Sequence, residues 1–327
     1  MFQTYEEAHK LPEIWRYLTR SNPWLDPLKL SLLEKHQPSR QQYHLDPEEG
    51  IAFVSYALKV NALALWGKPM LKVPVRIVGL PFSLAEGGYH AVTGEARQKM
   101  VRYIRSQEGL WIILNAREDF PLPKGTTLPS CCLTVTWKSF DDYLTSLRSP
   151  YRRWIRQGMN KGRRLKVRPL APEDFSEVHY RYYEEVYHRS AYPLEKLSHS
   201  YFQGFPASLY GFYLDQRPVG FVQLSITSSV LTFMFCGFDR SLLHSHALYQ
   251  NMLLWILQLA LQEKCTRIDF GQTTEVTKTK LGAVMHQKHF YLSHKNPVIM
   301  SMMKPLARRL SYPGYSVAHH VFKESSP

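Results

Sequence analysis

The fold of this 327-residue chain is decided by one stretch, Arg267-Ile268-Asp269-Phe270-Gly271-Gln272-Thr273-Thr274. Charged and apolar residues alternate from Thr266 to Phe270, which predicts a short strand that ends at Gly271. Asp269 lies near the end of this strand among apolar neighbours. A carboxylate beside a cleft at such a place can act as a general base, and an ion pair with Lys278 or an arginine is an equal alternative.

The residues before this strand predict the elements around it. Residues 245–264 are apolar nearly all round and predict a long helix buried against a sheet. Three apolar runs precede this helix, at 209–214, 219–227 and 230–238, and the turn residues between them predict an antiparallel meander. Because the helix joins the last of these strands to the strand at 266–270, we expect a crossover between parallel strands.

The first half of the chain predicts a similar order of elements. Residues 1–45 read as helical and polar, and a second helix is predicted over 94–107. The predicted strands are 51–60, 61–66, 73–80, 110–114 and 131–137. Ser139 is followed by two acids, which predicts a helix start there. The fold class is therefore predicted to be α/β with a mixed sheet, in two domains, 1–148 and 149–327.

The chain carries a large excess of positive charge. It has 41 Lys and Arg residues against 27 Asp and Glu residues, a net charge of +14, and such a field attracts phosphates, nucleic acid or an anionic membrane. Residues 143–172 contain no acid, and the cations within them are Arg148, Arg152, Arg153, Arg156, Lys161, Arg163, Arg164, Lys166 and Arg168. This basic run predicts either a solvated helix face or a surface for phosphates or an anionic acceptor. No motif for base-specific DNA recognition accompanies it.

Cysteine usage and hydropathy predict a cytoplasmic protein. The cysteines, Cys131, Cys132, Cys236 and Cys265, form no C-x-x-C pair, so we expect buried free thiols in a reducing compartment. Residues 1–16 include three glutamates and no continuous apolar core, unlike a signal peptide. The densest apolar run, 252–261, is shorter than the roughly 18 residues that span a bilayer.

Three segments of the second half resemble the FemAB and BioF-like acetyltransferase group of GNAT-like N-acyltransferases. Residues 151–156, Tyr-Arg-Arg-Trp-Ile-Arg, are similar to the basic helix that opens its acyltransferase domain, and residues 249–262 to its central helix. Residues 268–274, followed by Lys278 and Leu281-Gly282-Ala283, resemble its D-F-G … K … G-A ending. The resemblance covers about residues 149–292. Asp-Phe-Gly also occurs in kinases, but the Gly-rich loop and His-Arg-Asp segment of kinases are missing upstream.

The resemblance implies tandem GNAT-like domains, with residues 1–148 as a degenerate copy. It also implies an N-acyltransferase that moves an acyl group from a thioester donor, such as acyl-CoA, to an amine. Two alternatives stay open. One is an aminoacyl-tRNA-dependent, FemAB-type transferase acting on peptidoglycan precursors, which the basic run favours and the lack of a coiled-coil insertion disfavours. The other is a catalytically silent module that binds an anionic ligand.

The resemblance also places the donor. In GNAT folds the donor lies against the last meander strand, with its phosphates at the N-terminus of the next helix, where free backbone N–H groups favour anions. The positions implied here are Phe235, Cys236, Gly237, Arg240, His244, Ser245 and His246. The sequence lacks glycine between Gly237 and Gly271, which weakens the case for acetyl-CoA. His244 and His246 lack partners at metal-ligand spacing, so we expect no metal.

Transfer to an amine requires a polarised carbonyl and a proton acceptor. We expect catalysis from Asp269, Gln272 and Lys278, although Lys278 could instead neutralise a donor phosphate. The expected acceptor-binding residues are Thr273, Thr274, Glu184 and Tyr192; for the last two, ordinary surface or core roles are the alternative. We expect the acceptor to be a small-molecule amine or one linked to a lipid or a sugar, with tRNA or an acyl carrier protein as candidate donor carriers.

The segment 297–310 combines apolar residues with Lys304, Arg308 and Arg309. This pattern predicts a helix that either packs back on its domain or touches an anionic membrane.

Overall fold

The computed structural model describes residues 1–36, 39–61, 72–82, 84–191, 195–315 and 317–323. The chain divides into two compact units. Unit 1 contains Met1–Leu128 and Gln287–Gly314, and unit 2 contains Pro129–His286 and Tyr315–Pro327.

The elements follow one another in an alternating α/β order. Up to residue 134 they are β1 (Gln3–Tyr5), α1 (Glu13–Thr19), α2 (Pro27–His36), β2 (Gln41–Asp46), β3 (Ile51–Asn61), β4 (Lys72–Val78), β5 (Tyr89–His90), α3 (Gly94–Ser106), β6 (Leu110–Ala116) and β7 (Lys124–Thr134). The remainder are α4 (Phe140–Ser146), α5 (Ser149–Lys161), β8 (Lys166–Leu170), α6 (Glu177–Arg189), α7 (His199–Gly204), β9 (Ser208–Leu214), β10 (Arg217–Thr227), β11 (Val230–Phe238), α8 (Leu242–Ser245), α9 (Leu248–Gln262), β12 (Arg267–Asp269), α10 (Glu275–Lys280), β13 (Val284–His294) and α11 (Pro297–Leu310).

Unit 1 is a mixed sheet with a helix on each face. Its strands lie in the order β1-β2-β3-β4-β6-β13; β4 and β6 are parallel, and the other neighbours are antiparallel. Alternate residues of β6 point to opposite faces, so Trp111 and Ile113 join the cluster under α3. Leu110 and Ile112 face α11, whose Met303 is buried against the sheet. The segment 297–310 is therefore a helix that packs back on unit 1.

Unit 2 is the meander with its crossover. Residues 129–134 of β7 and the strands β12, β11, β10, β9 and β8 lie side by side in that order. α9 covers one face, where Val222 and Leu224 pack with Met252 and Leu253. α6 and α7 cover part of the other face, where Phe221 packs against Phe175 and Phe202.

Most predicted elements are confirmed. The three meander strands, the long buried helix, the helix at 94–107 and the parallel pairing of β11 with β12 all form, and the α/β fold class with a mixed sheet is confirmed. Two strands in the supposedly helical region 1–45 were missed, because β1 and β2 are built from polar residues such as Gln3, Gln41 and His44. β7 begins at Lys124 instead of Cys131, despite Pro129. The predicted strand 61–66 lies outside the described residues except for Asn61.

The division into units does not follow the predicted boundary after residue 148. Residues 129–134 belong to unit 2, where Cys132 to Thr134 pair with β12, while β13 pairs with β6 and α11 packs on unit 1. Whether unit 1 is a degenerate GNAT-like domain stays a prediction. No helix in the described part of the chain is long and apolar enough to cross a membrane.

The pairing of β11 with β12 is short. It runs from Val230↔Arg267 to Thr232↔Asp269, whereas β11 continues to Phe238. Beyond Asp269 the chain stays with β7, because Phe270 N–H donates to Cys131 O at 2.9 Å and Cys131 N–H donates to Gly271 O at 3.0 Å. β11 has a bulge here, since Gln223 and Leu224 pair with Phe235 and Phe233 and leave one extra residue between them. The two strands therefore separate, and we call the opening between them the fork.

Gly237 lets α6 approach the far end of β11. A Cβ atom at Gly237 would lie 2.4 Å from the backbone N of Tyr183 and 2.6 Å from the carbonyl carbon of Tyr182. These are backbone atoms in the middle of α6 and cannot move like a side chain. The glycine thus fixes the distance between α6 and the strand that borders the fork.

Replacement of Gly237 by alanine should destabilise the protein. The new methyl group would force α6 and β11 apart, and overpacking of this kind typically costs about 1–3 kcal/mol. Urea unfolding should show this loss for Gly237→Ala. Gly94→Ala is the control, because a Cβ atom there meets nothing within 4 Å and should change the free energy of unfolding by less than about 0.5 kcal/mol. Equal stability of the two variants would contradict the close approach.

Candidate functional site

The chain makes a strained turn where it leaves the fork. Gly271, Thr273 and Thr274 have φ angles of 69°, 63° and 52°, and left-handed backbone is costly for the two threonines. Asp269 holds the start of this turn, because its Oδ1 accepts a hydrogen bond from Gly271 N–H at 2.8 Å. Strain of this kind persists where surrounding contacts enforce it, and is enriched at functional sites.

The buried side chain of Lys278 also holds this turn through hydrogen bonds. Its Nζ donates to the carbonyl oxygens of Gln272 at 2.6 Å and Gly271 at 3.4 Å, and the residue is only 1% exposed. Burial lowers the pKa of this ammonium group, while the neighbouring Cys131 and Cys236 oppose the shift. Lys278 therefore lies in the interior beside the fork, with its position fixed by two backbone acceptors.

Tyr249, near the start of α9, reaches across to the turn. Its hydroxyl lies 2.7 Å from Thr274 Oγ1, and its ring packs near Phe238 at 5.6 Å between centroids. Burial raises the pKa of this phenol above its ordinary value, and Cys236 is the next cause. Tyr249 is thus a neutral hydroxyl beside the fork that can donate a proton.

The thiols beside Lys278 are not nucleophiles. Burial raises the pKa of Cys131 to about 11 and that of Cys236 to about 12. Both thiols therefore stay protonated at neutral pH, and reactivity requires the thiolate. Cys131 and Cys236 form an apolar, uncharged wall next to the buried ammonium.

The structure distributes the predicted donor residues over three places. Cys236 lies near Lys278 and Tyr249. Phe235 and Gly237 point to the opposite face of β11, because side chains alternate along a strand; there Phe235 meets Tyr201, and Gly237 lies under α6. The four remaining residues, Arg240, His244, Ser245 and His246, lie on or beside α8.

The α8 segment is open to solvent on one side and lines a cavity on the other. Arg240, His244 and Ser245 are exposed. Nearby, Asp239 forms an ion pair with Arg217 at 2.8 Å. A cavity of about 220 Å³ separates α8 from α5 and the start of α9, and it is lined by Trp154, Gln157, Gly158, Lys161, Leu243, His244, Ala247 and Gln250. Lys161 Nζ donates to His244 O at 3.0 Å at this cavity.

The other predicted residues divide as follows. Thr273 and Thr274 are exposed on the turn, and Gln272 is half-buried. Glu184 forms an ion pair with Lys196 on α6, which fits the ordinary surface role given as its alternative. Tyr192 lies outside the described residues. The structure therefore brings Asp269, the turn and Lys278 together, and keeps Glu184 in a separate ion pair.

Sequence reasoning missed Tyr249 as a neighbour of the turn, and Cys131 and Glu275 as neighbours of Lys278. Glu275 is buried in the first turn of α10 and opposes the lowering of the Lys278 pKa. The position of Tyr249 at the start of the helix after the donor strand was a usable signal. Cys131 gave none, because β7 joins the site only through long-range pairing with β12.

The basic run forms an exposed surface on unit 2. The exposed cations of α5, β8 and the turn between them are Arg153, Arg156, Lys161, Arg163, Arg164, Lys166 and Arg168. Arg164 pairs with Asp215, and Arg168 donates to Gln216 at 3.0 Å. Ile155 and Gly158 form the buried face of α5, so its arginines are directed away from the core.

These features lie inside a region with a known family signature. Residues 149–279 match the family described as Acetyltransferase (GNAT) domain. The match spans 131 of the 327 residues and starts at the residue where the predicted resemblance starts. It covers the chain from α5 to β12 and α10 up to Thr279, and so includes the fork, the turn and Lys278. The prediction of an acyltransferase is confirmed at the level of this domain. A search of curated proteins found no match to the chain.

Solved structures share the fold of the chain beyond the GNAT domain. FemX matches with a TM-score of 0.54 and 11% identity, over 92% of this chain and 100% of that chain. The C-terminal domain of a putative lysylphosphatidylglycerol synthetase from Agrobacterium fabrum matches with a TM-score of 0.53 and 10% identity, over 88% and 94%. L-PGS from Bacillus licheniformis matches with a TM-score of 0.52 and 12% identity, over 88% and 98%. The predicted GNAT-type, FemAB-like fold is supported, whereas the BioF-like part of the resemblance is not.

Replacement of Lys278 by methionine tests the burial of its ammonium. Burial lowers the Lys278 pKa, so the unfolded chain binds this proton more tightly than the folded chain. This group therefore makes the folded state more stable as pH rises from the folded pKa toward the ordinary value of 10.5. The stability of the wild type relative to Lys278→Met should increase with pH in this window, by at most about 1.4 kcal/mol per pH unit.

Urea unfolding of both proteins at several pH values measures this difference. Lys280→Met is the matched control, since Lys280 is half-exposed with its Nζ 5.7 Å from the centroid of the Trp154 ring. Its difference from the wild type should stay constant with pH. A constant difference for Lys278→Met as well would show that its ammonium is solvated.

Proposed function

We propose that this protein is an N-acyltransferase that carries an activated acyl group in the fork and transfers it to an amine. One observation carries the proposal. Inside the GNAT domain, the opening between β11 and β12 is bordered by a fixed carboxylate, a buried ammonium and a neutral phenol, contributed by Asp269, Lys278 and Tyr249. These are the groups that acyl transfer to an amine needs at one place.

In the proposed reaction, the acceptor nitrogen forms a bond to the acyl carbon, and the bond from that carbon to the donor's sulfur or oxygen breaks. Asp269 takes a proton from the acceptor ammonium before attack. Tyr249 gives its proton to the leaving thiolate or alkoxide, because its raised pKa keeps it protonated, and its phenolate then takes the second proton, which the nitrogen loses as the amide forms. Lys278 is a positioning residue, since it holds the backbone of Gly271 and Gln272.

The first candidate donor is a thioester. The free backbone of β11 and the exposed cations around α8 favour this donor, and one nearby carboxylate disfavours it. Beyond Thr232, β11 is no longer paired with β12, which leaves strand backbone for a donor's amide arm. Arg240 and His244 are exposed near the start of α9, where helix N–H groups favour anions. Against this, Asp239 adds a carboxylate at the loop, although Arg217 neutralises it.

An aminoacyl-tRNA is the second candidate, and a specific observation favours it. Seven cations of α5, β8 and their turn are exposed, and an RNA backbone is a partner that such a surface suits. Two of the structural neighbours are described as a putative lysylphosphatidylglycerol synthetase and FemX. Their sequences are only 10–11% identical to this chain, so the similarity supports a shared fold and does not identify the donor.

A panel of donors separates the candidates. Thermal stability is measured with CoA, acyl-CoA, an acyl carrier protein and charged tRNA in parallel. A true donor at about a hundred times its Kd should stabilise the protein by about 2.7 kcal/mol. With the donor identified, Asp269→Asn should abolish turnover and leave donor binding unchanged, because the asparagine oxygen can still accept from Gly271 N–H.

No stabilisation by any donor would reject both enzyme proposals and favour an anionic-ligand-binding module. Full turnover of Asp269→Asn would remove Asp269 as the base. Asp141→Asn is a matched control, since Asp141 is an exposed acid in the first turn of α4 and its replacement should leave turnover unchanged.

Charge reversal tests the second candidate. The double variant Arg156→Glu/Arg163→Glu should weaken tRNA binding at least about tenfold and reduce its dependence on salt, since fewer counterions are released. Arg102→Glu, an exposed position on α3 of unit 1, is the control and should bind like the wild type. Filter binding at several salt concentrations measures both. An equal salt dependence in all three proteins would place RNA binding elsewhere.

A further inference from the structure

A row of polar side chains crosses the face of the unit 2 sheet opposite α9. The register pairs Ser225 on β10 with Thr232 on β11, Thr232 with Asp269 on β12, and Asp269 with Cys132 on β7. Paired residues lie on the same face of a sheet. Their chain neighbours, such as Leu231 and Ile268, belong to the core under α9, so these four side chains point the other way.

The row is negatively charged at Asp269 and neutral at its two hydroxyls, and its length follows from the spacing of the strands. Asp269 supplies a carboxylate and is 5% exposed, while Thr232 and Ser225 supply half-buried hydroxyls. Neighbouring strands lie about 4.8 Å apart, so Ser225 is roughly 10 Å from Asp269 across β11. From the acid outward, the row therefore offers a site for a cation, then one neutral hydrogen-bonding group, then a second.

Gln223 provides an independent sign that something binds beside this row. Its side chain is on the same face as Ser225, two residues along β10, and it is fully buried. Within the described part of the chain, neither its Oε1 nor its Nε2 has a hydrogen-bond partner. Its cross-strand neighbours, Phe235 and Leu209, are apolar. Buried amides are nearly always hydrogen-bonded, because an unpaired one is costly.

We propose that this row, with Gln223, is the binding track of the acceptor, and that it selects amines whose adjoining chain carries hydroxyl or amide groups. The proposal rests on the proposed function, because it uses Asp269 as the residue that receives the ammonium. The donor groups Cys236 and Tyr249 lie on the α9 side of β11, so acceptor and donor approach the fork from opposite faces of the sheet.

The chemistry of the row defines the acceptor class. The carboxylate of Asp269 binds a primary ammonium, and the two hydroxyls on one side of it bind uncharged polar groups within roughly 10 Å. Gln223 both donates and accepts, which matches a hydroxyl or an amide better than a second charge. An amino sugar and a lysine-containing peptide share these features, and an alkylamine does not.

The variant Gln223→Leu tests the proposal through two readouts of opposite sign. Removal of an unpaired buried amide should raise the melting temperature. With the donor found in the panel above, the same variant should raise the KM for glucosamine or for alanyl-lysine about tenfold, the effect of losing one hydrogen bond. The KM for n-hexylamine should be unchanged. The two polar probes also distinguish a sugar from a peptide as the source of the amine.

Two outcomes would overturn the proposal. A lower melting temperature or failure to fold would show that the Gln223 amide has internal partners. A higher melting temperature with unchanged KM for both polar probes would show that the Gln223 amide does not bind the acceptor.

A second variant keeps the test independent of Gln223. Ser225→Ala/Thr232→Val should raise the KM for the preferred polar probe. Thr227→Val is the control, because Thr227 is on the same face of β10 but pairs with Val230, outside the row; it should behave like the wild type. Equal KM values in all of these proteins would reject the track.

Failure of the proposed function gives a different result. If no donor stabilises the wild type and no amine is acylated, the acyltransferase proposal fails. If the wild type transfers its acyl group and the variants transfer it with unchanged acceptor KM, only the acceptor track fails.

Discussion

The short parallel pairing of β11 with β12 determines where the site of this protein can exist. Only three residue pairs hold the strands together, after which β12 follows β7 and β11 continues alone. The bulge in β11 comes directly after the paired region, and a bulge increases local twist and bends the strand. The backbone at the fork is therefore left without its neighbour by the topology itself. The turn that follows includes residues with left-handed backbone, which persists only where surrounding contacts enforce it. Hydrogen bonds with the side chains of Asp269 and Lys278 supply such contacts.

The sequence was sufficient for β9 to β12 and α9 of unit 2 and for the segment that carries the site. Alternation in β10, the apolar helix α9 and the glycine at 271 are local signals, and local patterns predict local structure. Contacts formed between distant parts of the chain were not predictable in this way. Cys131 and Lys278 are neighbours through the β7–β12 pairing. Gly237 is needed because the backbone of α6 packs directly against it. The polar strands β1 and β2 were missed because their burial follows from partners and not from their composition.

Burial gives each group of the site its protonation state. It keeps Cys131, Cys236 and Tyr249 protonated and works against the charge of Lys278. The exposed arginines of α5 contrast with this interior, because solvent separates their charges from the fork. The protein thus combines an exposed positive surface with an interior, on the α9 side of β11, where burial opposes charge. The acid of the site belongs to the other face of the sheet, where Asp269 projects.

The path of the chain has a consequence for the order in which the protein can fold. Residues 287–314 belong to unit 1, although all of 129–286 is made before them. During synthesis, the sheet of unit 1 lacks β13 until residues 287–314 have been made. Until then, Leu110 and Ile112 on one face of this sheet are also not covered by α11. Unit 2 has its strands and α9 once Leu281 has left the ribosome, although its core also includes Val321 from the C-terminal segment. The sheet of unit 1 is therefore completed after the strands of unit 2, and its face of Leu110 and Ile112 stays uncovered until α11 has been made.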